Sequence, residues 1–311
     1  MYDFIVIGGG CSGLSAGMYA TRLGLKTLVF AELPGGLITT THLVENWPGI
    51  ISTTGPDLAM ALYAHAEASG AEIRNEIVSK IERLPDENGF PQFKTTTSTG
   101  EYISKTVLIA TGTKHRKLGV PGELEFENKG VSYCALCDGA FFKQKVVGVV
   151  GGGDSAAKEA IFLSEHASKV YLIVRRDILR AEPLNAKRIA QNSKIEILFN
   201  TEVEIISGTK SMEKVKFKEG RGKLSGQELP MQGLFMAVGQ DPQTELAKGL
   251  GVTLNAKNEI VINRRSETNV RGVFAAGDCC DSEFKQAITG SAEAVTASYY
   301  AFHVCTTSAG F

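Results

Sequence analysis

The chain has 311 residues, enough for two domains with separate cores, and its 43% hydrophobic and 22% charged residues sit in the ordinary range for a water-soluble protein. A net charge of −1 offers no basic footprint for nucleic acid and no strong field toward a membrane, and no apolar run approaches the roughly 18 residues a bilayer span needs. Met1 to Ile7 enters a strand directly, without a basic leader region. The expected location is therefore the cytoplasm, where closely spaced cysteines serve chemistry more often than stapling.

In chain order, the apolar run Phe4 to Ile7 ends in Gly8-Gly9-Gly10-Cys11-Ser12-Gly13, a G-x-G-x-x-G loop, and Leu14 to about Leu23 reads as a helix. The first glycine permits the tight turn, the second lets backbone approach a pyrophosphate, and the third lets helix pack on strand; the helix N-terminus then faces the phosphates. Leu25 to Phe30 is the next strand. Glu32 follows about where an acid would take a ribose hydroxyl, although Phe30 or Ala31 could occupy that position in another register. The hydroxyl-rich and glycine-rich stretches Pro34 to Thr41 and Val44 to Gly49 read as surface loop, Gly55 to Gly70 as helix, and Glu72 to Val107 as strand-rich. Thr106 to Ile109 runs as an apolar strand into Ala110-Thr111-Gly112.

Cys134-Ala135-Leu136-Cys137-Asp138 comes next. Two cysteines at this spacing can close a small disulfide whose thiolates form near neutral pH, and Asp138 is placed to move the proton of a leaving thiolate. A zinc site would need two more ligands at matching spacing. Cys11, Cys279, Cys280 and Cys305 are scattered, and the five histidines stand singly. Redox chemistry is therefore favoured over metal binding or an inert core pair, and no metal is expected.

Val146 to Ala156 then repeats the opening: Gly8, Gly10 and Gly13 fall on Gly151, Gly153 and Ala156, with Asp154-Ser155 between. This is a second dinucleotide fold. Its following strand, Val170 to Val174, ends in Arg175-Arg176, with Arg180 close behind, where an NAD site would place an acid. Guanidinium forks suit a 2′-phosphate and favour NADPH; the alternative is a solvated basic turn. Ile195 to Phe217 reads as strand, Lys218 to Gly226 as a hairpin tip, and Leu234 to Gly239 as a strand running into glycine. Gly272 to Asp278 delivers Gly277-Asp278 at a strand end, and Lys285-Gln286-Ala287 opens an alanine-rich helix. An acid so placed can bond the ribityl chain of a flavin while the helix N-terminus supports the flavin's anionic edge; otherwise Asp278 is a cap or turn acid.

With both glycine loops, the Cys-x-x-Cys-Asp and the Ala-Ala-Gly-Asp in this order, the chain resembles the low-molecular-weight, bacterial-type thioredoxin reductases along essentially its whole length. The resemblance implies an α/β fold of two Rossmann-like, three-layer dinucleotide-binding domains, the second inserted into the first. The FAD-binding domain would comprise residues 1–114 and 241–311, with the NADPH-binding domain, which carries the cysteines, at 115–240. It further implies a homodimer formed mainly through the FAD domains, and a thioredoxin or thioredoxin-like protein as partner.

For FAD the resemblance picks out Gly8, Gly10, Cys11, Ser12 and Gly13 in the first loop, and the spacing after that loop adds Glu32. The resemblance adds Gly36, Thr40 and Asn46; Ala110, Thr111 and Gly112; and Gly277, Asp278, Lys285, Gln286 and Ala287. For NADPH it picks out Gly151, Gly153, Asp154, Ser155 and Ala156 with Arg175, Arg176 and Arg180. Cys137 would face the flavin, Cys134 attack the partner, and Asp138 supply and remove protons. Val174 stands where the family usually has His, Leu37 where its flavin loop has Gln, and Lys285 where Arg is frequent. The glutathione-reductase class keeps its cysteines shortly after the first glycine loop, where residues 35 to 50 hold none, and ferredoxin-NADP reductases of similar architecture lack the pair. The competing readings are the same architecture fed by another donor, such as reduced ferredoxin, and a flavin redox sensor without turnover. Because one inserted domain carries both cysteines and nicotinamide, it is expected to rotate about its two connections, near Gly112 to Lys117 and Gly239 to Thr244.

Overall fold

The computed structural model describes residues 1–220 and 222–307; Arg221, in the expected hairpin tip, and the last residues of the second FAD segment lie outside it. The chain divides into two compact units, the first made of Met1–Lys114 together with the chain from Pro242 onward, the second of His115–Asp241.

Unit 1 begins with β1 (Tyr2–Ile7), α1 (Cys11–Arg22), β2 (Thr27–Phe30), α2 (Gly55–Ala68), β3 (Glu72–Arg74), β4 (Val78–Glu87), β5 (Phe90–Thr97) and β6 (Glu101–Ile109). The first crossing is β7 (Thr113–His115). Unit 2 holds β8 (Val131–Ser132), α3 (Ala135–Asp138), β9 (Val146–Val150), α4 (Asp154–His166), β10 (Lys169–Val174), α5 (Pro183–Ala190) and β11 (Ile195–Phe199). It continues with β12 (Val203–Gly208), β13 (Met212–Phe217), β14 (Glu228–Pro230) and β15 (Gly233–Met236). After the return crossing β16 (Gln240–Pro242), unit 1 resumes with α6 (Glu245–Gly249), β17 (Val273–Ala275) and α7 (Ala287–Thr306).

In unit 1 the strands β3-β2-β1-β6 run parallel, and the long β6 pairs β17 along its second half and the antiparallel β5-β4 ribbon along its first. A strand covered on both faces needs apolar residues at every position. Accordingly Phe4 and Val6 of β1 face a core shared with α1 and α7, while Ile5 and Ile7 face another shared with β4, β5 and Ile260. Small residues let the helices approach: Ala16 and Ala20 meet Ala294, Ala297 and Ala301, and Ser298 Oγ donates to Ala16 O at 3.2 Å.

Unit 2 repeats the plan with an all-parallel sheet β11-β10-β9-β15-β8 and adds the antiparallel β12-β13-β14. Val147 and Val149 of β9 pack toward α4, whereas Val150 packs toward Met212, Val215 and Phe217 of β13.

Element ends differ from the sequence reading in small, explicable ways. α1 starts at Cys11, three residues before Leu14, because Gly10 is its N-cap with extended backbone and accepts from Leu14 N at 2.9 Å. Leu25 belongs to the turn, its N–H donating to Ala20 O, so β2 starts at Thr27. Gln286 is the N-cap of α7, in a reciprocal capping box with Thr289, so this helix opens at Ala287.

Candidate functional site

In unit 1 the predicted residues converge on the first glycine loop. Gly8 sits at φ +117°, and a Cβ there would lie 2.1 Å from Ala110 O; a Cβ on Gly13 would lie 1.8 Å from Gly8 O. Gly10 bridges Gly35, whose N–H donates to Gly9 O at 2.7 Å. Gly36, at φ +63°, lies against Gly10, so the N-terminus of α1 is walled by bare backbone. Gly277 (φ +83°) approaches Ser12, its N–H held by Glu293 Oε2 at 2.8 Å. Asn46 Nδ2 donates to Gln286 Oε1 at 2.8 Å, tying the tryptophan loop to the cap of α7. Thr40 Oγ1 instead donates to Leu37 O within its own turn. Of the three candidates for the ribose position, Phe30 and Ala31 are buried and Glu32 is exposed.

Burial pushes the Asp278 carboxyl above its ordinary range, partly offset by Lys285, whose Nζ donates to Asp278 O (2.8 Å) and pairs with Glu259 (2.6 Å). Burial likewise pushes the Cys11 thiol up to about 11, which leaves it protonated and small at the helix start. Thr111 Oγ1 donates to Gln243 O at 2.5 Å and Gly112 takes φ +62°, fixing the turn after β6.

Unit 2 repeats this geometry around its own loop. Gly151 N donates to Ile173 O at 3.0 Å as Gly8 N does to Phe30 O at 2.9 Å, and a Cβ on Gly151 would lie 2.3 Å from Ala237 O. Gly153 caps α4 with the same extended backbone as Gly10. Asp154 Oδ1 accepts from Glu182 N (3.1 Å) and Asn185 Nδ2 (2.8 Å), and Oδ2 pairs with Lys158 at 2.8 Å. These partners outweigh burial and hold its carboxyl below the usual range. Ser155 is exposed and Ala156 fully buried. Arg180 N donates to Gly152 O at 2.7 Å, which brings the arginine turn back onto the glycine loop. Arg175, Arg176 and Arg180 are exposed, whereas Val174 is buried against Gly152.

Cys134 and Cys137 are joined by a disulfide, Cα to Cα 5.3 Å, at the start of α3. Cys134 is the N-cap, and Cys137 N–H donates to its Sγ at 3.1 Å. Cys134 N–H in turn donates to Ser132 Oγ at 3.1 Å. Cys137 is exposed, Cys134 and Asp138 half-buried. The four other cysteines are buried and free.

Three carboxyl groups of the surroundings carry no sequence motif and were not anticipated. Glu293 holds Gly277 N and accepts from Ser282 Oγ. Glu159 on α4 has a fully occluded Oε2 with no partner, and burial pushes its carboxyl up to about 8. Glu123 is 1% exposed and reaches Tyr133, next to Cys134.

The family model for pyridine nucleotide-disulphide oxidoreductases matches residues 2–294. The chain is 38% identical over 300 residues to thioredoxin reductase of Bacillus subtilis, covering 94% of this chain and 91% of the relative. Among solved structures it resembles Lactococcus lactis thioredoxin reductase in the FR conformation, with TM-score 0.92, 35% identity, and coverage of 98% of this chain and 99% of that one. T. acidophilum thioredoxin reductase follows with TM-score 0.89, 35% identity and coverage of 97% and 98%. The similarity thus extends over nearly the full length of these proteins, and the chain belongs to the pyridine nucleotide-disulphide oxidoreductase family, among its thioredoxin reductases.

Proposed function

We propose that the chain takes two electrons from NADPH and delivers them through FAD and Cys134-Cys137 to the disulfide of a thioredoxin-like protein, working as a homodimer in the cytoplasm. The observation that carries this reading is the Cys134–Cys137 disulfide at a helix start in a chain with two bare-glycine helix N-termini. FAD suits unit 1: Gly8, Gly10 and Gly36 expose backbone to a pyrophosphate, Cys11, Ser12 and Gly13 start the helix beneath it, and Glu32 is free for a ribose. Asp278 and Lys285 would hold the ribityl side, with Gln286 and Ala287 at the start of α7 and Ala110 to Gly112 at the turn after β6. NADPH suits unit 2, where Gly151 to Ala156 meets the phosphates and the exposed arginines meet a 2′-phosphate. When bound, the flavin supplies the two-electron relay between nicotinamide and disulfide.

The chain's own groups then perform thiol–disulfide exchange. The Cys134 thiolate, stabilised by the Cys137 N–H, attacks one sulfur of the partner disulfide, and the departing partner thiolate takes a proton from Asp138. Asp138, now a carboxylate, takes the proton of the Cys137 thiol; the resulting thiolate attacks Cys134 Sγ, the mixed disulfide breaks, and the second partner sulfur leaves as a thiolate that receives this proton back from Asp138. Two electrons have passed to the partner and the Cys134–Cys137 bond is restored. Exposure alone would choose Cys137 for the attack; the capping amide favours Cys134, and it persists however unit 2 is turned.

Both the cysteines and the second glycine loop belong to unit 2, so one placement of that unit serves one half-reaction. The reading includes a rotation about the two crossings to alternate them. Mixing the purified protein with stoichiometric NADPH should bleach its flavin absorbance, and added oxidised thioredoxin should then sustain NADPH consumption. Absence of bleaching would point to another donor and sink the assignment, while bleaching without turnover would indicate a sensor. Cross-linking the units in either arrangement should permit one half-reaction and stop steady-state turnover; full turnover in a verified cross-linked protein would exclude the rotation.

A further inference from the structure

Glu123 is a carboxylate at 1% exposure, and a buried charge persists only if its lone pairs are answered. Three donors answer them. Oε1 accepts from Leu118 N–H at 2.8 Å and from the Tyr133 hydroxyl at 2.7 Å, and Oε2 accepts from Gly119 N–H at 2.6 Å. No ion pair to Glu123 is present among the described residues, so these donors alone fix it. Tyr133 is held from its other side too, with Lys117 Nζ 4.4 Å from its ring centre while the same ammonium pairs with Glu127 at 2.7 Å. Burial, then the bond to Glu123, push the Tyr133 hydroxyl well above its ordinary range, so it remains a donor.

The two ends of this cluster are the consequential part. Lys117, Leu118 and Gly119 are among the first residues of unit 2 after the crossing, and Tyr133 immediately precedes Cys134. Ser132, on the other side of Tyr133, holds the Cys134 N–H. A phenylalanine would fill the same space; a hydroxyl directed at a buried carboxylate does something packing does not require.

We propose that Tyr133 is a positioning residue for Cys134: through Glu123 it ties the redox turn to segment 117–119, so that turn and incoming chain move as one piece. The inference rests on the proposed reaction.

The test is Tyr133→Phe, which keeps the ring and its contact with Lys117. NADPH should bleach the flavin at the wild-type rate with unchanged KM, while kcat/KM for oxidised thioredoxin falls about tenfold, the loss expected for one hydrogen bond to a charged group. In a Glu123→Leu background, which offers the Tyr133 hydroxyl no acceptor, the same substitution should cost nothing further. Wild-type kcat/KM for thioredoxin in Tyr133→Phe, or additive losses in the double variant, would overturn the proposal. A wild-type protein that reduces no thioredoxin would refute the reaction instead. The tie is then read directly by amide hydrogen exchange: Tyr133→Phe should speed exchange at Leu118, Gly119 and Cys134 together, and unchanged protection at all three would equally overturn it.

Discussion

The two glycine loops have nearly the same backbone and different walls. In unit 1, α1 comes so close to the turn that a Cβ at Gly13 would lie 1.8 Å from Gly8 O; in unit 2 the equivalent position is Ala156, whose Cβ is accommodated with zero exposure. The first loop is roofed by Gly35-Gly36 and flanked by the half-buried Asp278, whereas the second opens beside exposed arginines and Asp154. A repeated fold has thus been closed around one loop and left open around the other. That difference suits a cofactor that stays bound in unit 1 and one that exchanges in unit 2.

Adding one methyl at each end should break this comparison most visibly. Gly13→Ala forces α1 off the turn and should abolish flavin retention or folding, read as flavin absorbance per polypeptide in the purified protein. The opposite change, Ala156→Gly, removes a methyl the second loop tolerates and costs only about 1 kcal/mol of helix propensity, visible as a small fall in Tm. Full flavin occupancy in a folded Gly13→Ala protein would show that the closeness of the first loop is incidental.

A smaller effect sharpens the open side. Replacing Arg176 and Arg180 with Ala should raise the KM for NADPH by about one to two decades and leave that for NADH nearly unchanged, because losing the charge-assisted pairing with the 2′-phosphate costs about 1.5–3 kcal/mol in all. Neither side chain supports the fold, both being exposed, so Tm should not move. Equal losses for both nucleotides would remove the arginines from the 2′-phosphate.

Both loops were legible in the sequence because their glycines answer local steric demands, and the repeat between Gly8 and Gly151 doubles the signal. The redox turn was legible for a similar reason: spacing, N-cap and acid fall within five residues. The carboxyl groups that brace these parts were not. Glu293 acts on Gly277 sixteen residues away, and Glu123 joins Tyr133 to Leu118 across a turn, so their roles depend on tertiary burial that no periodicity encodes. The same limit explains the start of α1, where the Gly10 cap extends the helix beyond its apolar pattern.

Glu159 provides the finest test of the open unit, since it places a carboxyl inside α4, three residues after Ala156, with Oε2 unpartnered. Burial raises its folded pKa to about 8 from an ordinary 4.5. Because the neutral form is favoured by folding, stability from this group is complete below about pH 4.5, declines as pH rises toward 8, and is flat beyond. Glu159→Gln lacks that titration. The variant and wild type should have matching Tm near pH 4.5, and the variant should gain with rising pH to an advantage of about 1–2 kcal/mol above pH 8, discounted because part of the side chain remains open to solvent. A Tm difference that stays constant from pH 4.5 to 8 would mean that the carboxylate finds partners on ionising, and that the interior of unit 2 is as accommodating as its nucleotide loop.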